Sequence, residues 1–134
     1  MTTLRLACLD MAGTTVSDDG LVMRAFRRAL ERSGIAATEA VMAYVDTTMG
    51  QSKIEVFTAI TGDALAAQSA NAAFEKAYAE LVAEGAAAMI PGALGAFAAL
   101  RELGMQVCLT TGFAPATRDL LVQALDLHSE VDLV

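Results

Sequence analysis

The sequence predicts an α/β fold: a parallel sheet, incomplete within this chain, with an all-helical segment inserted after its first strand. Three observations predict it. Two short β-rich runs, 4–10 and 105–110, each end in polar residues that lead into a glycine-containing turn. The residues between and after them repeat their apolar positions at helical spacing. Strands separated by helices are the pattern of a parallel sheet, because parallel neighbours need a crossover connection. With 134 residues the chain is long enough for one ordinary domain and too short for two large ones. Apolar residues make up 55% and charged residues 19%, which excludes intrinsic disorder. Alanine supplies about a fifth of the chain, which favours helices.

Taken in order, residues 4–10 (LRLACLD) form a continuous apolar strand of the kind covered on both faces. Gly13 to Gly20 mark a loop. A helix over 21–33 carries Val22, Ala25, Phe26, Ala29 and Leu30 on one stripe, and Gly34 stops it. Helices over 37–45 and 51–61 follow, with Asp46 to Gly50 as the break. A longer helix, 63–85, is opened by Asp63 and ended at Gly85. Pro91 suits the first turn of a helix over 92–103, which Gly104 ends. The second strand, 105–110, precedes Thr111-Gly112 and a helix over 114–126 with Thr117, Leu120, Leu121, Ala124 and Leu125 on one face. The closing VDLV reads as the opening of a third strand. The block 16–87 is too long for a single crossover, so it reads as an inserted helical cap. Segments 1–15 and 88–134 then form part of the core.

Acidic residues outnumber basic ones 16 to 9, a net charge of −7 that argues against a nucleic-acid partner. Cys8 and Cys108 lie in the two strand runs and read as reduced, buried core thiols. The N-terminus lacks the apolar stretch of a signal peptide, and no apolar run approaches membrane-spanning length. The expectation is a cytoplasmic protein without a membrane partner.

Ligands of open α/β sheets bind at the carboxyl ends of the strands. Asp10 stands at one such end, followed by Met11-Ala12-Gly13-Thr14-Thr15. A carboxylate there can hold Mg²⁺ or attack phosphorus. Gly13 permits a sharp turn, and Thr14 and Thr15 offer hydroxyls. The second strand ends in Thr110-Thr111-Gly112 before a helix N-terminus, an arrangement suited to phosphate. The same residues would serve an ordinary strand-to-helix turn, but two such ends on parallel strands converge on one place. Neither a P-loop nor a dinucleotide glycine fingerprint is present.

The chain has two lysines. Lys76 sits in a polar helix segment and reads as a solvated charge. Lys53 is in helical register with Val56, Phe57 and Ile60, which places its stem on an apolar stripe. Such an ammonium either snorkels to water or is desolvated, and desolvation leaves more free amine to attack a carbonyl.

The stretch LDMAGTT resembles the first motif of the haloacid dehalogenase superfamily, in the form typical of its phosphonatase-like members, with Ala12 where most members carry a second Asp. MGQSK, with Met49, Gly50 and Lys53, resembles the cap segment that carries a Schiff-base lysine. LTTGF resembles the second motif, with Thr110 as the best match for the hydroxyl that contacts the phosphoryl group. The resemblance implies a Rossmann-like core with a helical cap. It further implies Mg²⁺ held by the Asp10 carboxylate and the Ala12 carbonyl, and substrate contacts from Gly13, Thr14, Thr15, Met49, Thr110, Thr111 and Gly112. An aspartyl-phosphate would form on Asp10, and an imine on Lys53 would drive cleavage of a C–P bond in phosphonoacetaldehyde or a similar small molecule. The alternatives are a phosphomonoester phosphatase of the same superfamily and an inactive fragment that only binds phosphate or a partner. By analogy with relatives, a homodimer would form through the cap. Val56 departs from the family, which carries histidine there, and the family's third and fourth motifs would fall beyond Val134. The chain therefore reads as a shortened form of a longer protein.

Overall fold

Strand β1 (Leu6–Asp10) lies parallel to β4 (Gln106–Thr110) in a computed structural model that describes residues 3–134. The register pairs Leu6 with Gln106 and ends by pairing Asp10 with Thr110. Both strands therefore stop at the same level, and the two loops that follow start side by side. Leu133 adds a parallel bridge to Cys108, with the Leu109 N–H donating to the Leu133 carbonyl at 2.9 Å. The run VDLV, expected to open a third strand, contributes this single bridge.

Between β1 and β4 the chain forms β2 (Val16–Ser17), α1 (Leu21–Arg32), α2 (Glu39–Thr47), α3 (Lys53–Thr61), α4 (Ala64–Ala83), β3 (Ala88–Met89) and α5 (Ala93–Glu102). Helix α6 (Pro115–Ala124) follows β4. The stripe expected on α1 is buried in full, together with Leu21. Gly34, at φ 69°, lets the chain turn back so that the Ile35 N–H reaches the Leu30 carbonyl at 2.9 Å. Asp63 caps α4, its carboxylate accepting from the Ala66 N–H at 2.8 Å. Helices α1, α3 and α4 meet around an aromatic cluster in which Phe26 lies 4.8 Å from both Phe57 and Phe74, centroid to centroid. Tyr78 extends the cluster to Phe113 in the loop after β4, at 4.8 Å. The helical block and the sheet are thus joined by packed rings.

Several expectations need correction. The loop 13–20 and the segment before Pro91 contain β2 and β3, a two-residue antiparallel pair with Val16 opposite Met89. These strands fall at the two ends of the helical block and tie its entry to its exit. Pro91 is not in the first turn of α5. Gly92 is the N-cap, at φ 88°, and Pro91 precedes it. On α6 the buried residues are Thr117, Leu121 and Val122, while Ala124 is exposed. The cysteines are not core thiols: Cys8 is exposed and Cys108 half-buried. The reason is tertiary. Strand β1 is paired on one edge only, and its Leu6, Cys8 and Asp10 side is uncovered. Among the described residues no helix is long and apolar enough to cross a membrane.

Candidate active site

Asp10 is exposed at the carboxyl end of β1. Its Oδ1 accepts from the Met11 N–H at 2.9 Å, an N–H that also donates to the Thr110 carbonyl at 3.0 Å, and its Oδ2 has no donor among the described residues. The following turn is wound around Met11, whose carbonyl faces the N–H groups of Thr14, Thr15 and Val16 at 3.2, 3.0 and 2.8 Å. Gly13, at φ 79°, makes this winding possible and donates its N–H to the Val16 carbonyl. Thr15 is buried, and its hydroxyl donates to the Asp10 carbonyl at 2.8 Å. That hydroxyl braces the loop under Asp10. Thr15→Val keeps the volume and removes the donor, so it is expected to cost about 1–2 kcal/mol in thermal or urea unfolding.

Opposite Asp10, the loop after β4 contributes Thr111, Gly112 and Phe113. The Thr111 hydroxyl accepts from the Phe113 N–H at 3.2 Å. A side chain at Gly112 would lie 3.5 Å from the Gly50 carbonyl, so the loop after β4 touches the turn between α2 and α3. These pieces enclose a cavity of about 180 Å³ lined by Asp10, Ala12, Val22, Met49, Gly50, Lys53, Thr111, Gly112 and Phe113. Seven of the residues singled out from the sequence converge there: Asp10, Ala12, Met49, Gly50, Lys53, Thr111 and Gly112. Gly13, Thr14, Thr15 and Thr110 do not line it. The Thr110 hydroxyl instead lies 3.4 Å from the Leu9 carbonyl, across the sheet.

Lys53 is the only cation among the lining residues. It is the first residue of α3 and is 8% exposed. Its Nζ donates to the Gln51 carbonyl at 3.3 Å and lies 5.9 and 5.8 Å from the ring centroids of Phe26 and Phe113. Burial pushes its pKa below the usual lysine value, and the carboxylates of Asp18 and Asp10 act in the opposite direction. A cation at a helix N-terminus also meets the wrong end of the dipole. The unfolded chain therefore keeps this proton to higher pH than the folded one, and stability rises with pH between the folded and unfolded pKa values. Lys53→Met is expected to remove that slope and to raise Tm by a few degrees at neutral pH, the scale of relieving one poorly solvated charge. A Tm that falls would show that the aromatic contacts outweigh the burial.

Sequence reasoning missed Phe113 and Val22 as site residues. Phe113 and Val22 supply apolar walls, while Gly50, already singled out in the MGQSK segment, supplies the backbone surface against Gly112. Asp18 was also missed. Its carboxylate accepts from the Val22 N–H at 3.1 Å and acts on Lys53 through space. A carboxylate four residues before an apolar stripe is a helix-start signal, and that signal could have found it.

A family model described as haloacid dehalogenase-like hydrolase matches residues 4–134. The chain belongs to this family. Its α/β fold, with a small parallel sheet and helices, is shared by solved structures. A hydrolase from Pseudomonas syringae is 18% identical with TM-score 0.80, covering 98% of this chain and 60% of its own. A predicted phosphatase from Clostridium acetobutylicum is 13% identical with TM-score 0.81, again over 98% and 60%. CbbY from Rhodobacter sphaeroides, in complex with phosphate, is 20% identical with TM-score 0.76, over 97% and 62%. The haloacid dehalogenase-like chain described here thus spans about 60% of the length of these structures. No curated protein matches it in sequence.

Among the described residues no group of three or more His, Cys, Asp or Glu side chains could hold a metal ion. The donors at the cavity fit Mg²⁺ in a more limited way. Asp10 has a free carboxylate oxygen, and no backbone N–H is paired with the Ala12 carbonyl. Mg²⁺ commonly takes one or two protein oxygens and completes its shell with water and substrate phosphate.

Proposed function

We propose that this chain carries the phosphoryl-accepting site of a phosphatase acting on a small phosphorylated metabolite. The observation that supports it best is the register of β1 and β4, which sets the free Asp10 carboxylate oxygen and the Thr111-Gly112 turn at one cavity with Lys53 as its single cation. Phosphatases among the structural neighbours, and phosphate bound in one of them, support the same reading.

In this mechanism Asp10 Oδ2 attacks phosphorus, the P–O bond to the leaving group breaks, and an aspartyl-phosphate forms. The Met11 N–H, shared between Oδ1 and the Thr110 carbonyl, lies on the Oδ1 side, so the attacking oxygen is the one left unbonded. Lys53, cationic and poorly solvated, attracts the anionic substrate and stabilises the charge that develops on the leaving oxygen, which takes its proton from water. Water then attacks phosphorus and returns the free carboxylate. Asp10 and the Ala12 carbonyl would hold Mg²⁺, which would supply positive charge to the phosphoryl oxygens. Quenched single-turnover reactions analysed by mass spectrometry should carry the phosphoryl adduct on the peptide containing Asp10. An adduct elsewhere, or none while phosphate is released, would overturn the assignment.

The burial of Lys53 favours a second reading, C–P cleavage through an imine. Here the free amine condenses with a substrate aldehyde, releasing water. Asp10 Oδ2 takes the phosphoryl group as the C–P bond breaks, and the protonated imine takes the electron pair. Protonation and hydrolysis then free the carbon product from Lys53 and phosphate from Asp10. Lys53→Arg separates the two readings, because it keeps the charge and cannot form an imine. The phosphatase reading, in which Lys53 acts by its charge, expects Lys53→Arg to keep phosphate release within about tenfold of the parent. The imine reading expects complete loss, together with borohydride trapping of phosphonoacetaldehyde on the parent lysine.

A further inference from the structure

Beyond the Asp10 cavity lies a second one of about 220 Å³, between the helical block and the segment leading into α6. Lys53, Gly112 and Phe113 line both cavities, so the two meet at the lysine. The far wall is α4, which presents Asn71, Phe74 and Glu75. Asn71 and Glu75 are one helical turn apart, and Asn71 Nδ2 donates to Glu75 Oε1 at 3.4 Å. This internal bond uses one of the amide's two N–H donors. It leaves Asn71 Oδ1 and Glu75 Oε2 without a protein donor among the described residues, and Glu75 has no ion pair there. The remaining polar capacity of α4 at this wall is therefore one amide N–H against two acceptor oxygens, one of them on the Glu75 carboxylate, and it is negative in sign.

We propose that Asn71 and Glu75 select the substrate's leaving group, admitting one that carries a hydroxyl or ammonium donor and rejecting one that ends in a second anion. The inference rests on the phosphoryl site at Asp10. A substrate spanning both cavities has its phosphoryl group at Asp10, its leaving oxygen beside Lys53 and its donor end against α4. A carboxylate or second phosphate at that end would face Glu75 and be repelled, whereas a donor completes the two open acceptors. A purely apolar tail would fit against Phe74 and Phe113 but leave both acceptors desolvated, which costs affinity.

Calorimetric binding in Mg²⁺ buffer tests this with four esters and one control: phosphoethanolamine, 2-hydroxyethyl phosphate, ethyl phosphate, phosphoglycolate and inorganic phosphate. At least one of the two donor-bearing esters should bind about tenfold tighter than ethyl phosphate, and phosphoglycolate should bind weakest of the esters. Whichever of the two wins identifies the donor as ammonium or hydroxyl. Glu75→Gln and, independently, Asn71→Ala should shrink the preference to about twofold or less while inorganic phosphate binds as before. Equal binding of ethyl phosphate and both donor esters, with inorganic phosphate still bound, would overturn this proposal and leave the phosphoryl site standing. Failure of inorganic phosphate to bind the parent protein would overturn both.

Discussion

Asp10→Asn is expected to lower phosphate release by at least about 10³-fold, because it removes the nucleophile and keeps nearly everything else. The amide retains an oxygen where Oδ1 now accepts from the Met11 N–H, so the turn after β1 keeps its bond. The Thr15 hydroxyl acts on the Asp10 backbone carbonyl and is untouched by the change. Tm should therefore move by no more than a degree or two while activity disappears. Phosphate release measured beside thermal unfolding checks both halves. Retained turnover would remove Asp10 from the chemistry, and a large loss of Tm would show that the side chain is chiefly structural.

The largest expected effect on stability comes from Phe74→Ala. Phe74 is buried on α4 and packs on Phe26 of α1 at 4.8 Å, on Phe57 of α3 at 6.2 Å and on Tyr78 at 5.9 Å. One ring therefore joins three helices, and through Tyr78 it supports Phe113 beside the site. Truncating such a side chain costs about 3–5 kcal/mol, through lost burial and the cavity left behind. Against a total stability of about 5–15 kcal/mol, that loss is expected to bring the protein close to its unfolding threshold. Denaturant titration measures it. A cost below about 1 kcal/mol would mean that the neighbouring rings close the gap.

Signals confined to one helix were readable in advance. The α1 stripe and its Gly34 stop survive because burial at positions three and four apart, and a left-handed stop, are properties of a few adjacent residues. The position of Lys53 on the face of Val56 and Phe57 is of the same kind, and all three are buried. Signals that depend on distant partners were not readable. Strands β2 and β3 are two residues each, and nothing near Val16 announces that Met89 will pair with it. The run LRLACLD announces a strand but not which of its faces is covered, so Cys8 was expected inside and lies outside. Phe113 reads as an ordinary loop residue until Tyr78, from a different part of the chain, packs on it.

The sequence by itself determined the chemistry on offer: a carboxylate at a strand end, hydroxyl-rich turns, one lysine on an apolar stripe, and the motifs that resemble a hydrolase superfamily. These follow from residue type and short spacing, which the chain carries locally. Only the tertiary structure decided which of those groups share a cavity. The parallel register of β1 and β4 brings the Asp10 and Thr111 turns level, and the contact of Gly112 with the Gly50 turn closes the helical block over them. The same packing turns the Thr15 hydroxyl into a brace, leaves Thr110 outside the cavity and places the acceptors of α4 within reach of a ligand. The physical reason is that an ionisable group's reactivity depends on its desolvation and its neighbours, and both are set by residues far apart in sequence.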